Sequence, residues 1–565
     1  MRRGPRPAPL PAALRRFAAD ERGVMTIAGT FIFVMMVLAG GLAIDLARAE
    51  TERVKLQYTL DRAVLAAASL RPSRHEAQAL VDDYLAKAGL GHHAVAVKVD
   101  PANSDTQRRV SARAQTPIRS LFLGMVGIDT LAVPAAAEAF EAIRKVEISL
   151  VLDLSGSMLE PSDTPGVSRI DALRQPAKTF IATMLADRPD DVSISIVPYH
   201  NHVNIGPDLE RYFPLAKTHT YSYCPRLSWD AFRTTAMPEG PALPQIAHFN
   251  QWAEYVRDPN GYLGSGSNRH RHHDAPGPLT KSICRTDVVP PMVFESNVER
   301  LQGMIDALVA DGGTSIDQGA KWGLALLDPS VRSRVSQMVR DGFVRGAFEG
   351  RPADYDDPGT MKVLVIMSDG RNKQQNDIRD GYRSGPSGVL ASHPSFASMD
   401  VETRDAYILD DPGDITFWLR DRTNPSRFYE AGTATHGPAP ADAVELDFQT
   451  LWAIKSVAFV EGFMARRMPG ANANYYRRAA YAYFDYRAGR GVPLSTDNLA
   501  AICAAAKAHD RPVKIFTIGY LVEEDGAAQL RDCASTPANF YPVSSDLSHA
   551  FDQISRVLNR LTLTQ

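Results

Sequence analysis

V-E-I-S-L-V-L-D-L-S-G-S-M, residues 146–158, is the stretch on which the reading of the fold turns. Val146, Ile148, Leu150, Val151 and Leu152 form an apolar, β-rich run too short for a helix, which predicts a strand buried inside a sheet. The run ends on Asp153, and Ser155 and Ser157 then alternate through a glycine-containing turn. Such a turn directs one carboxylate and two hydroxyls to a point just past the strand's carboxyl end. Hard oxygens converging there suit a divalent cation such as Mg²⁺, with Mn²⁺ and Ca²⁺ as alternatives, because these ions take oxygen ligands and keep some waters. For an isolated D-x-S-x-S the plain alternative is a polar turn and helix cap.

The pattern resembles the metal-ion-dependent adhesion site of the von Willebrand factor A (VWA) domain. That resemblance implies two further ligands, a Thr and an Asp, from later loops. Thr314 lies in D-G-G-T-S, where glycines let the backbone come close to an ion and Thr314 or Ser315 is placed to cap the next helix. Asp369 sits in S-D-G, directly after the apolar run at 363–367. The implied ligand set is therefore Asp153, Ser155, Ser157, Thr314 and Asp369. With these groups in the inner and outer shells, at least one position on the ion is left to water, which a partner's carboxylate can replace.

Working outward, Ile170, Leu173, Ala177, Phe180, Ile181 and Met184 form a helical stripe, which Pro176 is expected to kink or to delay. Val192, Ile194 and Ile196 alternate as a strand, and 202–205 reads as a short edge strand. Residues 206–291 lack sustained periodicity and form an insertion. Helices follow at 298–308 and 316–327. A second insertion runs over 370–493, then a helix at 498–509, a strand at 513–518 and an amphipathic helix from Leu547 to its last stripe residue, Leu561. Strands alternating with helices, with oxygen ligands at strand ends, predict a doubly wound, mainly parallel α/β sheet with its site in the crevice at the carboxyl edge. The VWA resemblance spans about residues 143–565 with both insertions included. The 370–493 insertion leaves the chain just after Asp369, so it starts on the site's edge and is expected to carry most of the binding specificity. Its tyrosines, Tyr475, Tyr476, Tyr481, Tyr483 and Tyr486, suit either a contact surface or a core. An edge strand at 202–205 would carry the first insertion to the opposite edge. H-R-H-H-D at 270–274 reads as a zinc site or as solvated histidines in a Gly/Ser/Pro-rich loop.

Upstream, residues 24–44 carry no charge, and as a helix they are ~31 Å long, enough to cross a bilayer's hydrocarbon core. Arg2, Arg3, Arg6, Arg15, Arg16 and Arg22 precede them, which predicts a cytoplasmic amino terminus (1–22) and a bulk outside the inner membrane. A cleaved signal peptide is the alternative, since Ala47-x-Ala49 has the pattern of a cleavage site. R-R-F-A-A-D-E-R-G before the span, and D-L-A-R-A-E-T-E-R-V-K-L-Q-Y-T-L-D-R-A-V-L-A-A-A-S-L after it, resemble the amino-terminal segment of TadE/TadG-like proteins of Tad (Flp) pilus assembly. Together with the A-domain pattern this looks TadG-like. Gly23 is followed five residues later by Ala28, where the family's small pseudopilins carry Glu. In the segment 23–70, Leu56, Leu60, Val64, Ala67, Ala68 and Leu70 keep a helical stripe, destined either for a partner helix or for the chain's own next domain. Residues 71–142 read as a small α+β region without chemistry, with a helix at 76–90 and strands at 95–99, 110–114 and 130–136.

A net charge of −3 gives no basic face for nucleic acid. Four cysteines form no C-x-x-C pair. In an exported chain they predict disulfides Cys224–Cys284 and Cys503–Cys533, each pair lying within one segment, against four free thiols as the alternative. The resulting expectation is a non-catalytic, membrane-anchored periplasmic protein of pilus assembly or adhesion, holding a protein partner, a pilus-assembly or envelope component, by its carboxylate through a divalent cation. A metal-dependent hydrolase is the rival, but the sequence holds neither H-E-x-x-H nor G-x-S-x-G. An A-domain partner of a cytosolic ATPase is the other, and the arginines before the span put the domain on the wrong side for it.

Overall fold

Two compact units divide the chain, residues 1–143 with 563–565, and residues 144–562. In the computed structural model the described residues are 16, 23–69, 74–93, 95–100, 107–142, 145–186, 188–250, 282–373, 375–410, 415–431, 433, 435–460, 464–465, 475, 478–483 and 495–562. H-R-H-H-D at 270–274, Leu70, Tyr476, Tyr486 and all but one residue of the basic amino terminus lie outside them.

In the first unit, helix α1 (Gly23–Ser69) runs unbroken through the apolar span and through Ala47-x-Ala49. Most of its membrane-length part is open, with Met25, Phe31 and Met36 exposed. Farther along, Leu56, Leu60, Val64, Ala67 and Ala68 are buried against α2 (Arg74–Lys87) and an antiparallel sheet of β1 (Val95–Asp100), β2 (Gln107–Arg119) and β3 (Thr130–Ala142). The stripe beyond the span thus packs on the chain's own α+β region. The strands expected at 110–114 and 130–136 are parts of two 13-residue strands.

In the second unit, β4 (Lys145–Asp153) is an inner strand buried on both faces: Val146, Ile148, Leu150 and Leu152 line one, and Glu147, Ser149, Val151 and Asp153 the other. A six-stranded sheet has the order β9-β8-β7-β4-β5-β6, made of Phe540–Val543, Lys514–Tyr520, Thr360–Ser368, β4, Val192–Tyr199 and Met292–Glu295. All neighbours are parallel except β6, which runs antiparallel to β5. Val146, Ile148, Leu150 and Leu152 pack with α3 (Arg169–Leu185), α4 (Val298–Asp306) and α8 (Leu547–Thr562). Val151 and its neighbours Val197, Leu364 and Ile366 pack with α5 (Ile316–Ala325), α6 (Ser495–Lys507) and α7 (Glu524–Cys533). Close seating of α5 depends on Gly319 and Gly323, where a Cβ would fall 2.7 and 2.5 Å from the Val151 side chain.

Three expectations are corrected. Residues 202–205 form no strand, because the local backbone is engaged elsewhere: the His200 carbonyl accepts from Ser315 N–H and the Ile205 N–H donates to the Tyr223 carbonyl. The edge strand comes after the insertion instead, at Met292–Glu295, so the first insertion leaves from the carboxyl end of β5, on the site's edge. α3 starts at Arg169 under a Ser168 cap that accepts from Asp171 N–H, so Pro176, inside the helix, does not delay its start.

The two insertions also share one core. Cys224, Ile246, Phe249 and Cys284 of the first pack with Val389, Phe417, Leu451 and Trp452 of the second. Arg226 pairs with Asp377 at 2.6 Å across the same junction. The second insertion contributes a five-stranded antiparallel sheet in the order His436–Gly437, Phe428–Glu430, Thr416–Arg420, Pro386–Ser392, Val444–Asp447. Half-buried Tyr475 packs against this core, its ring 4.8 Å from that of Tyr382. Both expected disulfides are present, Cys224–Cys284 and Cys503–Cys533.

Candidate functional site

Parallel β4 and β7 are neighbours, so they end at the same edge of the sheet and deliver Asp153 and Asp369 side by side. Asp153, fully buried, accepts from Ser155 N–H at 2.7 Å through Oδ1 and from the Ser368 hydroxyl at 2.5 Å through Oδ2. The Ser155 and Ser157 hydroxyls are 3.0 Å apart. Ser157 Oγ donates to Asp369 Oδ1 at 2.7 Å, joining loops 212 residues apart in sequence.

The third loop is held in place by backbone. Gly156 N–H donates to the Gly312 carbonyl at 2.9 Å, Asp311 N–H to the Leu154 carbonyl at 2.8 Å, and Lys373 N–H to the Thr314 carbonyl at 2.8 Å. Gly312 has φ +91°, and Gly313 donates its N–H to Asn201 Oδ1 at 2.8 Å in a contact so close that a Cβ there would lie 2.6 Å from Asn201 Nδ2. Glycine at 312 supplies the left-handed turn, and glycine at 313 leaves room for the Asn201 amide. Thr314 is buried, and its hydroxyl lies 3.5 Å from where a Cβ on Gly370 would sit. Ser315 occupies the cap position of α5, but its hydroxyl makes no cap bond. All five sequence-assigned residues therefore come from three loops that meet at one sheet edge.

Electrostatically the site is an acid pair with partial compensation. Burial, with the neighbouring Asp369 charge adding to it, pushes the Asp153 carboxyl up to about 6. Arg169 donates to Asp369 Oδ2 at 2.8 Å and also pairs with Glu160 at 3.0 Å. The donor set fits a hard divalent cation. Adjacent ligands around an octahedral ion with bonds of about 2.1 Å lie about 3.0 Å apart, and the hydroxyl–hydroxyl and hydroxyl–carboxylate separations here are 3.0 and 2.7 Å.

Sequence reasoning missed three supporting residues. Ser368 fixes the outer oxygen of Asp153, and its place next to Asp369 in S-D-G was the available signal. Arg169 gave no local signal, since its partner is 200 residues away. Gly526 of α7 lies so close to the S-D-G loop that a Cβ there would be 2.8 Å from the Gly370 carbonyl oxygen.

Behind the site, buried Asp317 in the first turn of α5 accepts from Gln375 Nε2 at 3.2 Å and from Asn498 Nδ2 at 3.3 Å. Gln375 in turn accepts from Gln318 at 3.0 Å, and Asn372 Nδ2 donates to the Ser495 carbonyl at 2.7 Å. This network pins the root of the second insertion to α5 and α6. Burial lifts the Asp317 carboxyl to about 7.

A model of the Flp pilus-assembly TadE/G-like family matches residues 23–70. No curated protein matches the chain. Similar solved structures include the vWF domain of the type V pili tip protein Mfa5 from Porphyromonas gingivalis, with 14% identity and a TM-score of 0.31 over 75% of this chain and 98% of that one. The pilus adhesin RrgA from Streptococcus pneumoniae gives 11% identity and a TM-score of 0.30, covering 82% of this chain and 49% of that one. The adhesive tip pilin GBS104 from Group B Streptococcus agalactiae gives 10% identity and a TM-score of 0.28, covering 74% and 99%. The family match concerns the helical segment at 23–70, whose apolar part is long enough to cross a membrane.

Proposed function

We propose that the chain is a membrane-anchored envelope protein whose second unit is a VWA-type domain, a doubly wound and mainly parallel α/β fold that grips a protein partner through a divalent cation. Asp153, Ser155, Ser157, Thr314 and Asp369 hold the ion, Mg²⁺ or a similar cation such as Mn²⁺ or Ca²⁺. The observation that carries this reading is the 2.7 Å contact between Ser157 and Asp369, hard oxygens from distant loops gathered at one strand end. When bound, the ion supplies the positive charge that attracts a carboxylate on the partner. The chain's residues do the rest. Ser368 and the Ser155 N–H orient Asp153, while Arg169 orients Asp369 and offsets part of its charge. Because the ligand oxygens are held before binding, little ordering cost is left for the moment of association.

The role is non-enzymatic, in Tad-type pilus assembly or adhesion, with α1 in the inner membrane, the amino terminus cytoplasmic and the bulk periplasmic. The TadE/G-like match at 23–70 and the arginines before the span support this placement. Specificity belongs to the joint subdomain built by both insertions, since both leave the sheet at the site's edge. Affinity capture from detergent extract in Mg²⁺ and in EDTA tests the reading. A partner retained with Mg²⁺ and lost with EDTA is expected; equal retention in both would remove the cation from the mechanism.

A further inference from the structure

In the first unit, the turn between β2 and β3 (121–128) presents an apolar tip. Leu121, Met125, Val126 and Ile128 are 61, 67, 54 and 45% exposed, a group of large apolar side chains left open by the described residues of their own unit. The turn is fastened to α1 at one level. Asp45, the first charged residue after the apolar span, accepts the N–H groups of Leu121, Phe122 and Leu123 at 2.9, 2.8 and 2.9 Å. Phe122 then lies against α1 at Gly41, where a Cβ would stand 2.4 Å from Phe122 Cβ. Gly41 is four residues before Asp45, so this contact lies ~6 Å farther along the helix toward the middle of the apolar span.

We propose that the 121–128 turn is a lipid-binding element that dips into the interfacial layer of the bilayer beside the exit of α1, giving the first unit a second hold on the membrane. The proposal rests on the reading of α1 as a membrane-spanning helix. If α1 crosses the bilayer, its boundary is set near Asp45, and the turn bonded to Asp45 and Gly41 is carried to the same depth. The tip then sits in the layer where apolar side chains of peripheral elements are buried, about 5–10 Å into the headgroup and acyl boundary. Its backbone is prepared for this: Asp45 satisfies three N–H groups that water would otherwise have to reach, while Ser120 donates to the Ile128 carbonyl. Arg48, 46% exposed and 3.7 Å from Asp45, offers a cation to anionic headgroups at the same level. A protein partner would also cover apolar side chains, but the fastening to the end of the span favours lipid.

The test uses the full chain in phosphatidylcholine/phosphatidylglycerol vesicles, with a bimane label on Met125→Cys and, separately, on Val34→Cys within α1. Lipids carrying a nitroxide near the headgroup or near the chain end, and aqueous iodide, serve as quenchers. The label at 125 is expected to lose most of its emission to the headgroup-proximal nitroxide and to be shielded from iodide, while the label at 34 is quenched best by the deep nitroxide. A quenched label at 34 with a label at 125 open to iodide and untouched by lipid would overturn the turn's role and leave the anchor standing. Shielding at 125 without lipid quenching would show a protein cover and also overturn it. A label at 34 untouched by either lipid would take down the anchor and the proposal together.

Discussion

Asp317→Asn removes a carboxyl that the fold buries with no cation paired to it among the described residues, and its effect follows from the shift. The acid is held at about 7 in the folded chain against an ordinary 3.8, so between those values the native state keeps a proton that the unfolded chain has released. Stability is therefore greatest at the acid end, falls as pH rises from about 4 to 7, and levels off above, with a total loss of about 4 kcal/mol. The asparagine carries no such penalty, but its amide faces the Gln375 and Asn498 donors, a mismatch costing about 1 kcal/mol at every pH. The variant should lie within about 1 kcal/mol of wild type at pH 5 and exceed it by about 3 kcal/mol at pH 8. Urea unfolding of the full chain in detergent, followed by tryptophan fluorescence at both pH values, measures the gap. A gap that stays constant between pH 5 and pH 8 would mean that Asp317 titrates alike in the folded and unfolded chain, contrary to its burial as an acid.

Removing the Cys503–Cys533 bridge, a 30-residue separation, should destabilise the fold by about 3.6 kcal/mol, and removing Cys224–Cys284, separated by 60, by about 4.3 kcal/mol in the chain-entropy model. Urea midpoints of the paired Cys→Ala variants check both, and the larger loss should fall on the longer loop. Gly526→Ala touches no ligand, yet its methyl group would push on the Gly370 carbonyl. It should cost about 1–3 kcal/mol and weaken Mn²⁺ binding by displacing Asp369, which titration of the purified variant reads directly.

Legibility followed the range of the interactions. The end of β4 could be read because the strand closes on the unbroken apolar run Leu150–Leu152, and Asp153 is where that run stops. The disulfides could be read because each closes within one segment. Residues 202–205 misled because a short V-N-I alternation looks like a strand, although the Ile205 N–H goes to the Tyr223 carbonyl and the preceding His200 carbonyl to the Ser315 loop. The true edge strand was hidden behind Pro290 and Pro291, and it contains Phe294 at φ +48°. Neither Arg169 on Asp369 nor the shared core of the insertions could be seen locally, since each joins segments that only the closed sheet brings together. The stripe beyond the span was a true apolar face, and only the structure says that it packs on its own unit.

On the proposed function, five oxygen-bearing side chains at the sheet's edge hold one divalent cation. Isothermal titration of Mn²⁺ into the purified wild-type chain and Asp153→Ala, with circular dichroism on both, tests it most directly. Saturable one-to-one binding to wild type, its loss in the variant and unchanged spectra are expected. Equal binding by both proteins, or none by wild type, would contradict it.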